Sequence, residues 1–221
     1  MTQVFITGST GYVGRSLAQA LVGRGHFVSG LVRPGSATRL PADCKIVEGN
    51  ALDRKTCEAR ISGVHTYVQL VGVAHPSPAK ARQFREIDLK SCQESLAAAI
   101  GNRVRHFVYV SVAHPAPAMK AYIAVREECE GLIRSSGLAA TILRPWYVLG
   151  PGHYWPYALK PFYWLARQIP ATRSGARRLG LITLPQMVNA IVAAIESPAA
   201  GIRIVEVPEM SRLELQGSEI R

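Results

Sequence analysis

Three glycines, Gly8, Gly11 and Gly14, stand at three-residue spacing near the start of the chain, within Thr7-Gly8-Ser9-Thr10-Gly11-Tyr12-Val13-Gly14. Residues without side chains at that spacing let a backbone turn sharply and come up against a phosphate. The elements that must position them are readable on either side. Val4-Phe5-Ile6 reads as a short buried strand, and Val13, Leu17 and Leu21 recur at i, i+4 and i+8, which fits one face of a helix starting near Tyr12 and ending at Gly25. The strand then passes into the helix through the glycines. Gly8 permits the tight turn, Gly11 admits a pyrophosphate against the backbone, and Gly14 lets the helix pack closely on the sheet. Free N–H groups and a partial positive charge at the helix N-terminus face the phosphates. The pattern is that of a dinucleotide site.

The end of the second strand, Phe27 to Val32, decides which dinucleotide. An Asp or Glu there would bond the ribose hydroxyls, but no acid occurs between Gly8 and Asp43. Instead Arg33 follows Val32, Arg39 comes shortly after, and Arg15 stands directly behind the last glycine. A guanidinium in this place holds a 2′-phosphate by charge-assisted paired hydrogen bonds, and an acid would repel it. NADP(H) is therefore favoured over NAD(H).

The rest of the chain repeats the strand and helix alternation. Strands are expected at Lys45 to Val47, Tyr67 to Val71, Phe107 to Ser111 and Ala140 to Leu143, with helices over Lys80 to Ile100 and Met119 to Ser136. Such alternation implies right-handed crossovers and an α/β fold, a Rossmann-like doubly wound parallel sheet with a small C-terminal cap. At 221 residues the chain is read as one domain, residues 1–221, in which 145–180 forms the cap or substrate segment. Cys44, Cys57, Cys92 and Cys129 are scattered without a C-x-x-C pair, so they read as reduced apolar residues and not as a metal site. No run of apolar residues is long enough to span a membrane, and the N-terminus lacks a secretory signal, which points to the cytoplasm. The formal net charge is +11. No nucleic-acid motif accompanies it, so a generally basic surface is the expected meaning.

The order Thr7-Gly8-x-x-Gly11-x-x-Gly14 resembles the short-chain dehydrogenase/reductase superfamily, especially its extended and atypical members. Ser135 to Pro145, with Arg144-Pro145 at its end, is most similar to the NmrA-like and complex-I-accessory-like proteins. The resemblance implies that Asn50, Ala51 and Leu52 lie beside the adenine, with Asn50 where relatives carry an acid. It implies also that Val71 and Gly72 pass the nicotinamide ribose and that Pro145 covers the nicotinamide. Chemistry in that family rests on a hydroxyl at the end of the fifth strand and a Tyr-x-x-x-Lys helix. Here Ser111, Tyr122 and Arg126 take those places, and Val112 and Ala113 stand where a further hydroxyl is common. Tyr122 would act as general acid or base on a small-molecule substrate, with Arg126 keeping the charge of the Lys but not its compact shape. Two functions follow from the resemblance. One is an NADP(H)-dependent oxidoreductase acting on a small carbonyl or quinone-like compound. The other is a regulatory sensor that holds the dinucleotide without turnover.

Gly152 to Arg167 carries six aromatic residues, and the stretch from Lys160 to Arg178 has five basic residues and no acid. Three readings apply: a cap packed on its own sheet, the wall of a pocket for a flat apolar substrate, or a membrane-surface contact. The packed cap is favoured and the membrane contact least so.

Overall fold

The computed structural model describes residues 1–36, 40–116, 118–151, 175 and 178–213. Seven parallel strands form one sheet: β1 (Gln3–Thr7), β2 (Phe27–Val32), β3 (Lys45–Glu48), β4 (Thr66–Gln69), β5 (His106–Val110), β6 (Ala140–Arg144) and, after a short pair described below, β9 (Ile202–Glu206). Their order across the sheet is β3-β2-β1-β4-β5-β6-β9. The winding direction reverses between β1 and β4, which opens a crevice at the carboxyl ends of these two strands.

Helices cover both faces. On one face α1 (Tyr12–Gly23) and α4 (Leu184–Glu196) enclose Leu17, Leu21, Met187, Ile191 and Ile195 against Val4, Ile6, Val68 and Val108. On the other, α2 (Lys90–Gly101) and α3 (Lys120–Ser135) bury Leu96, Ala99, Cys129 and Ile133 against Phe5, Tyr67, Phe107 and Tyr109. With apolar layers on both sides, the central strands are near-continuous in hydrophobic residues, which is why Val4-Phe5-Ile6 reads as a buried strand. The expected α/β doubly wound sheet is thus present, with shifts of a residue or two. β4 ends at Gln69, and β5 ends at Val110, so Ser111 lies just beyond its strand.

Three features lie outside the sequence reading. The helical run into α2 passes through a π-helical stretch, Phe84–Leu89, which places Asp88 inside the fold. The parallel pairing of β7 (Tyr147–Leu149) with β8 (Leu181–Thr183) makes a second small sheet apart from the main one. β9 extends that sheet beside β6 and is followed by a short helix, α5 (Val207–Met210). At the start of α4, Thr183 and Gln186 form reciprocal side-chain to backbone hydrogen bonds, a capping box that fixes the turn from β8 into the helix. The aromatic stretch 152–167 and Arg39 lie outside the described residues.

Candidate functional site

The glycine turn occupies the crevice at the sheet's switch point. Gly8 has φ +74°, and a Cβ there would come within 2.9 Å of the Leu70 carbonyl carbon. Gly14 is more constrained still, since a Cβ would lie 2.2 Å from the Gly8 carbonyl oxygen. The helix therefore sits directly on the turn. Thr7 is fully buried, and Ser9, also buried, donates to the Leu31 carbonyl at 2.8 Å, tying the turn to β2. Gly11 is the N-cap of α1, with no side-chain cap and no acid in the first turn. A helix N-terminus without a side-chain cap or a competing carboxylate suits a pyrophosphate, so the residues present fit the dinucleotide. Thr10 lies half-buried in the same turn.

The flanking segments converge on this end of the sheet. Arg33 is exposed just past β2. Asn50 is also exposed, with its Oδ1 accepting from the Leu52 N–H at 3.0 Å in the turn formed with Ala51 and Leu52. Val71 and Gly72 follow β4, and the Pro145 carbonyl accepts from the Ala113 N–H at 2.8 Å.

A cavity of about 430 Å³ opens beside the glycine turn, lined by Tyr12 and Val13 from α1, Val110 to Val112 at the end of β5, Met119 and Tyr122 at the start of α3, and Pro145 to Val148. Its volume is in the range of small-molecule sites. Ser111 and Tyr122 thus come to one cavity, whereas Arg126 lies behind it. The Arg126 guanidinium donates to Asp88, to the Tyr109 hydroxyl at 3.1 Å and to the Val110 carbonyl at 2.8 Å. Its central carbon stands 5.0 Å from the centre of the Tyr122 ring. The charge acts on the phenol across the ring face. Burial lifts the Tyr122 hydroxyl above the ordinary phenol range, and the Arg126 charge opposes that rise without cancelling it.

Gly72 owes its identity to this arrangement. A Cβ there would fall 2.5 Å from Arg126 Nη2 and 3.1 Å from Asp88 Oδ1. The other oxygen of Asp88 accepts from the Val73 N–H at 3.0 Å, so one buried carboxylate joins the loop after β4 to the helix that carries Tyr122. Burial raises the Asp88 carboxyl and the Arg126 charge pulls it back.

Ser111 is engaged elsewhere. Its hydroxyl donates to Glu130 at 2.6 Å. Glu130 is wholly buried, yet against that burial the hydrogen bonds from Arg144, Ser111 and Arg134 hold its carboxyl at about 2. A Ser hydroxyl has a single proton, and here an ionised carboxylate takes it. The sequence reading missed Asp88 and Glu130, because an acid in a helical stretch looks like a solvated one until its partner is placed. No group of His, Cys, Asp and Glu suited to a metal ion occurs among the described residues, and no helix among them is long and apolar enough to cross a membrane.

A protein-family profile described as NAD(P)H-binding matches residues 8–152. The chain is 29% identical to a 3-diazoavenalumate denitrifying reductase of a Streptomyces species, over 90% of this chain and 74% of that protein. It is 26% identical to the ceramide reductase of Caulobacter vibrioides, over 95% of this chain and 65% of that one. Among solved structures, the Bordetella bronchiseptica enzyme WbmH in complex with NAD+ matches with a TM-score of 0.69 and 21% identity, covering 93% of this chain and 75% of its own. A short-chain dehydrogenase/reductase superfamily protein from Agrobacterium tumefaciens with bound NAD matches with a TM-score of 0.68 and 20% identity, covering 92% and 77%.

Proposed function

Since the chain belongs to the NAD(P)H-binding family, we propose that it is an NADPH-dependent reductase of the short-chain dehydrogenase/reductase type, acting on a small carbonyl or quinone-like compound. The observation that carries this reading is the meeting of Tyr122 with the uncapped N-terminal end of α1 at one cavity. The reductase names of two relatives agree with it.

The bound dinucleotide supplies hydride, and the protein supplies orientation and a proton. Thr7 to Gly14 hold the pyrophosphate, Arg33 the 2′-phosphate and Asn50 to Leu52 the adenine, while Val71, Gly72 and Pro145 border the nicotinamide half. Tyr122 gives its proton to the substrate oxygen as that oxygen gains charge. Its raised hydroxyl keeps that proton through neutral pH, which suits an acid in reduction better than a base in oxidation. Ser111, with its proton committed to Glu130, meets substrate only as an acceptor. Arg126 is a positioning residue: its charge lies over the Tyr122 ring and its hydrogen bonds go to protein groups.

The test is NADPH oxidation with a panel of aldehydes and quinones. Tyr122→Phe should abolish turnover and leave NADPH affinity within about two-fold, since the ring still packs on Phe84 at 5.0 Å. A second reading, a dinucleotide sensor without turnover, is favoured by the engaged Ser111 and by Val112 beside it. It predicts tight NADPH binding with no reduction of any member of the panel.

A further inference from the structure

The π-helical stretch Phe84–Leu89 reaches the Tyr122 site twice. The Phe84 ring packs on the Tyr122 ring with centres 5.0 Å apart, and further along the same stretch the Asp88 carboxylate meets the Arg126 guanidinium. Single π-turns inside helices recur at functional sites. Asp88 is wholly buried, and each of its oxygens faces a donor, Arg126 Nη2 at Oδ1 and the Val73 N–H at Oδ2. Donors on both oxygens suit the ionised carboxylate, because a protonated one would turn its own hydrogen toward one of them.

Arg126 is buried with its charge, and its central carbon lies 5.0 Å from the centre of the Tyr122 ring. A cation left uncompensated there would favour the phenolate, strongly so where water is excluded. Asp88 cancels most of that field from the far side of the guanidinium. Burial then prevails, and the Tyr122 hydroxyl stays above the ordinary phenol range. Other titratable groups surround the pair. Cys129 faces Tyr122 from its own helix, and Cys92 and Tyr109 approach Arg126 from α2 and β5. Tyr12, His75 and Tyr147 share the cavity of Tyr122, while Lys120 is exposed. All of these stay the same when Asp88 and Arg126 alone are exchanged, so a change between such variants reports on the pair.

We propose that Asp88 is a positioning residue for proton transfer: it neutralises Arg126 behind the Tyr122 ring and thereby sets the pH above which Tyr122 no longer donates its proton. This role rests on the reductase reading of Tyr122, yet the ionisation can be followed without turnover.

The test is an NMR titration of the NADPH-loaded full chain, isotope-labelled at the tyrosine Cζ, with the Tyr122 signal assigned by Tyr122→Phe. NADPH oxidation with the panel of aldehydes and quinones is followed over the same pH range. Asp88→Asn keeps the shape of the side chain and leaves Arg126 uncompensated. It should lower the pH of Tyr122 ionisation by about 1–3 units, and the alkaline fall in kcat should move with it. The double variant Asp88→Asn, Arg126→Met strands no charge and should bring the ionisation back to within about half a unit of the native chain. An ionisation unmoved in Asp88→Asn overturns the proposal, even if activity falls at every pH. So does a rise of about one unit or more in the double variant, which would mean that Arg126 acts on the phenol uncompensated in the native chain. Should Asp88→Asn fail to fold, the double variant decides alone. A shifted ionisation with no NADPH oxidation by any member of the panel sustains the effect of Asp88 on Tyr122 and overturns the reductase reading instead.

Discussion

Arg126 serves a carboxylate, a phenol, a carbonyl and an aromatic face at once, which a planar fork of donors can do and an ammonium cannot. Removing Asp88 leaves that guanidinium buried without its counter-charge. Asp88→Ala should therefore lose about 3–5 kcal/mol in urea unfolding, and the double variant Asp88→Ala, Arg126→Met should regain much of it, because the charge left stranded has gone. Equal losses in the single and double variants would remove the ion pair from this account. Arg33 makes the cofactor prediction. NADPH should bind more tightly than NADH by about 1–3 kcal/mol, and Arg33→Asp should narrow or reverse the difference when both dissociation constants are measured at one ionic strength. The glycine turn was legible from type and spacing, and Tyr122, which lines the cavity, was reached through the family resemblance. Asp88 and Glu130 were not, since their meaning depends on partners such as Arg126, far along the chain, and Arg144, on another element.

Elements set buried charge and buried neutrality on opposite faces of the sheet, the charge between it and α3 and the neutral ring on the side of α1 and α4. Glu130 projects from α3 to Ser111 and to Arg144 at the end of β6, while His106 at the start of β5 bonds to Thr141 of β6 at 3.0 Å. Burial drops His106 from its usual 6.5 to about 4, so the fold favours the neutral ring. Its contribution is complete above pH 6.5 and disappears as pH falls through 4. Glu130, moved from 4.5 to about 2, contributes fully above pH 4.5 and loses that contribution as pH falls through 2. Each shift corresponds to about 3 kcal/mol. Unfolding free energy should decline from pH 6.5 downward, with His106→Gln flattening the first part of the curve and Glu130→Gln the later part. A curve unchanged in both variants would mean that other groups set acid stability. The long elements were readable because helical periodicity and continuous apolar runs survive in one sequence. β9 escaped because Ile202 and Ile204 lie partly exposed at the sheet edge, so its pattern resembles neither a buried strand nor a clean alternation. The π-helical stretch has no periodic signature of its own.

At the scale of the whole molecule, a formal charge of +11 bears on how the anionic cofactor arrives. The field of the protein should speed NADPH association, and the rate should fall with added salt more steeply for NADPH than for NADH, because the extra phosphate carries extra charge. Stopped-flow measurements at several salt concentrations check this, and identical slopes would detach the charge from cofactor capture. The parallel pair β7 and β8 has a consequence of another kind. The chain leaves β7 at Leu149 and enters β8 at Leu181, which pairs with Tyr147, so the residues between them begin and end on one small sheet. Loops with closely held ends tolerate changes of length at little thermodynamic cost. The dinucleotide turn lies in the first fourteen residues, remote in sequence from that stretch. The fold thus keeps the dinucleotide turn and the stretch between β7 and β8 apart in sequence, so that one can change while the other is kept. A chimaera carrying a relative's residues between these two strands should acquire that relative's substrate preference while its NADPH dissociation constant stays within about two-fold of the parent's.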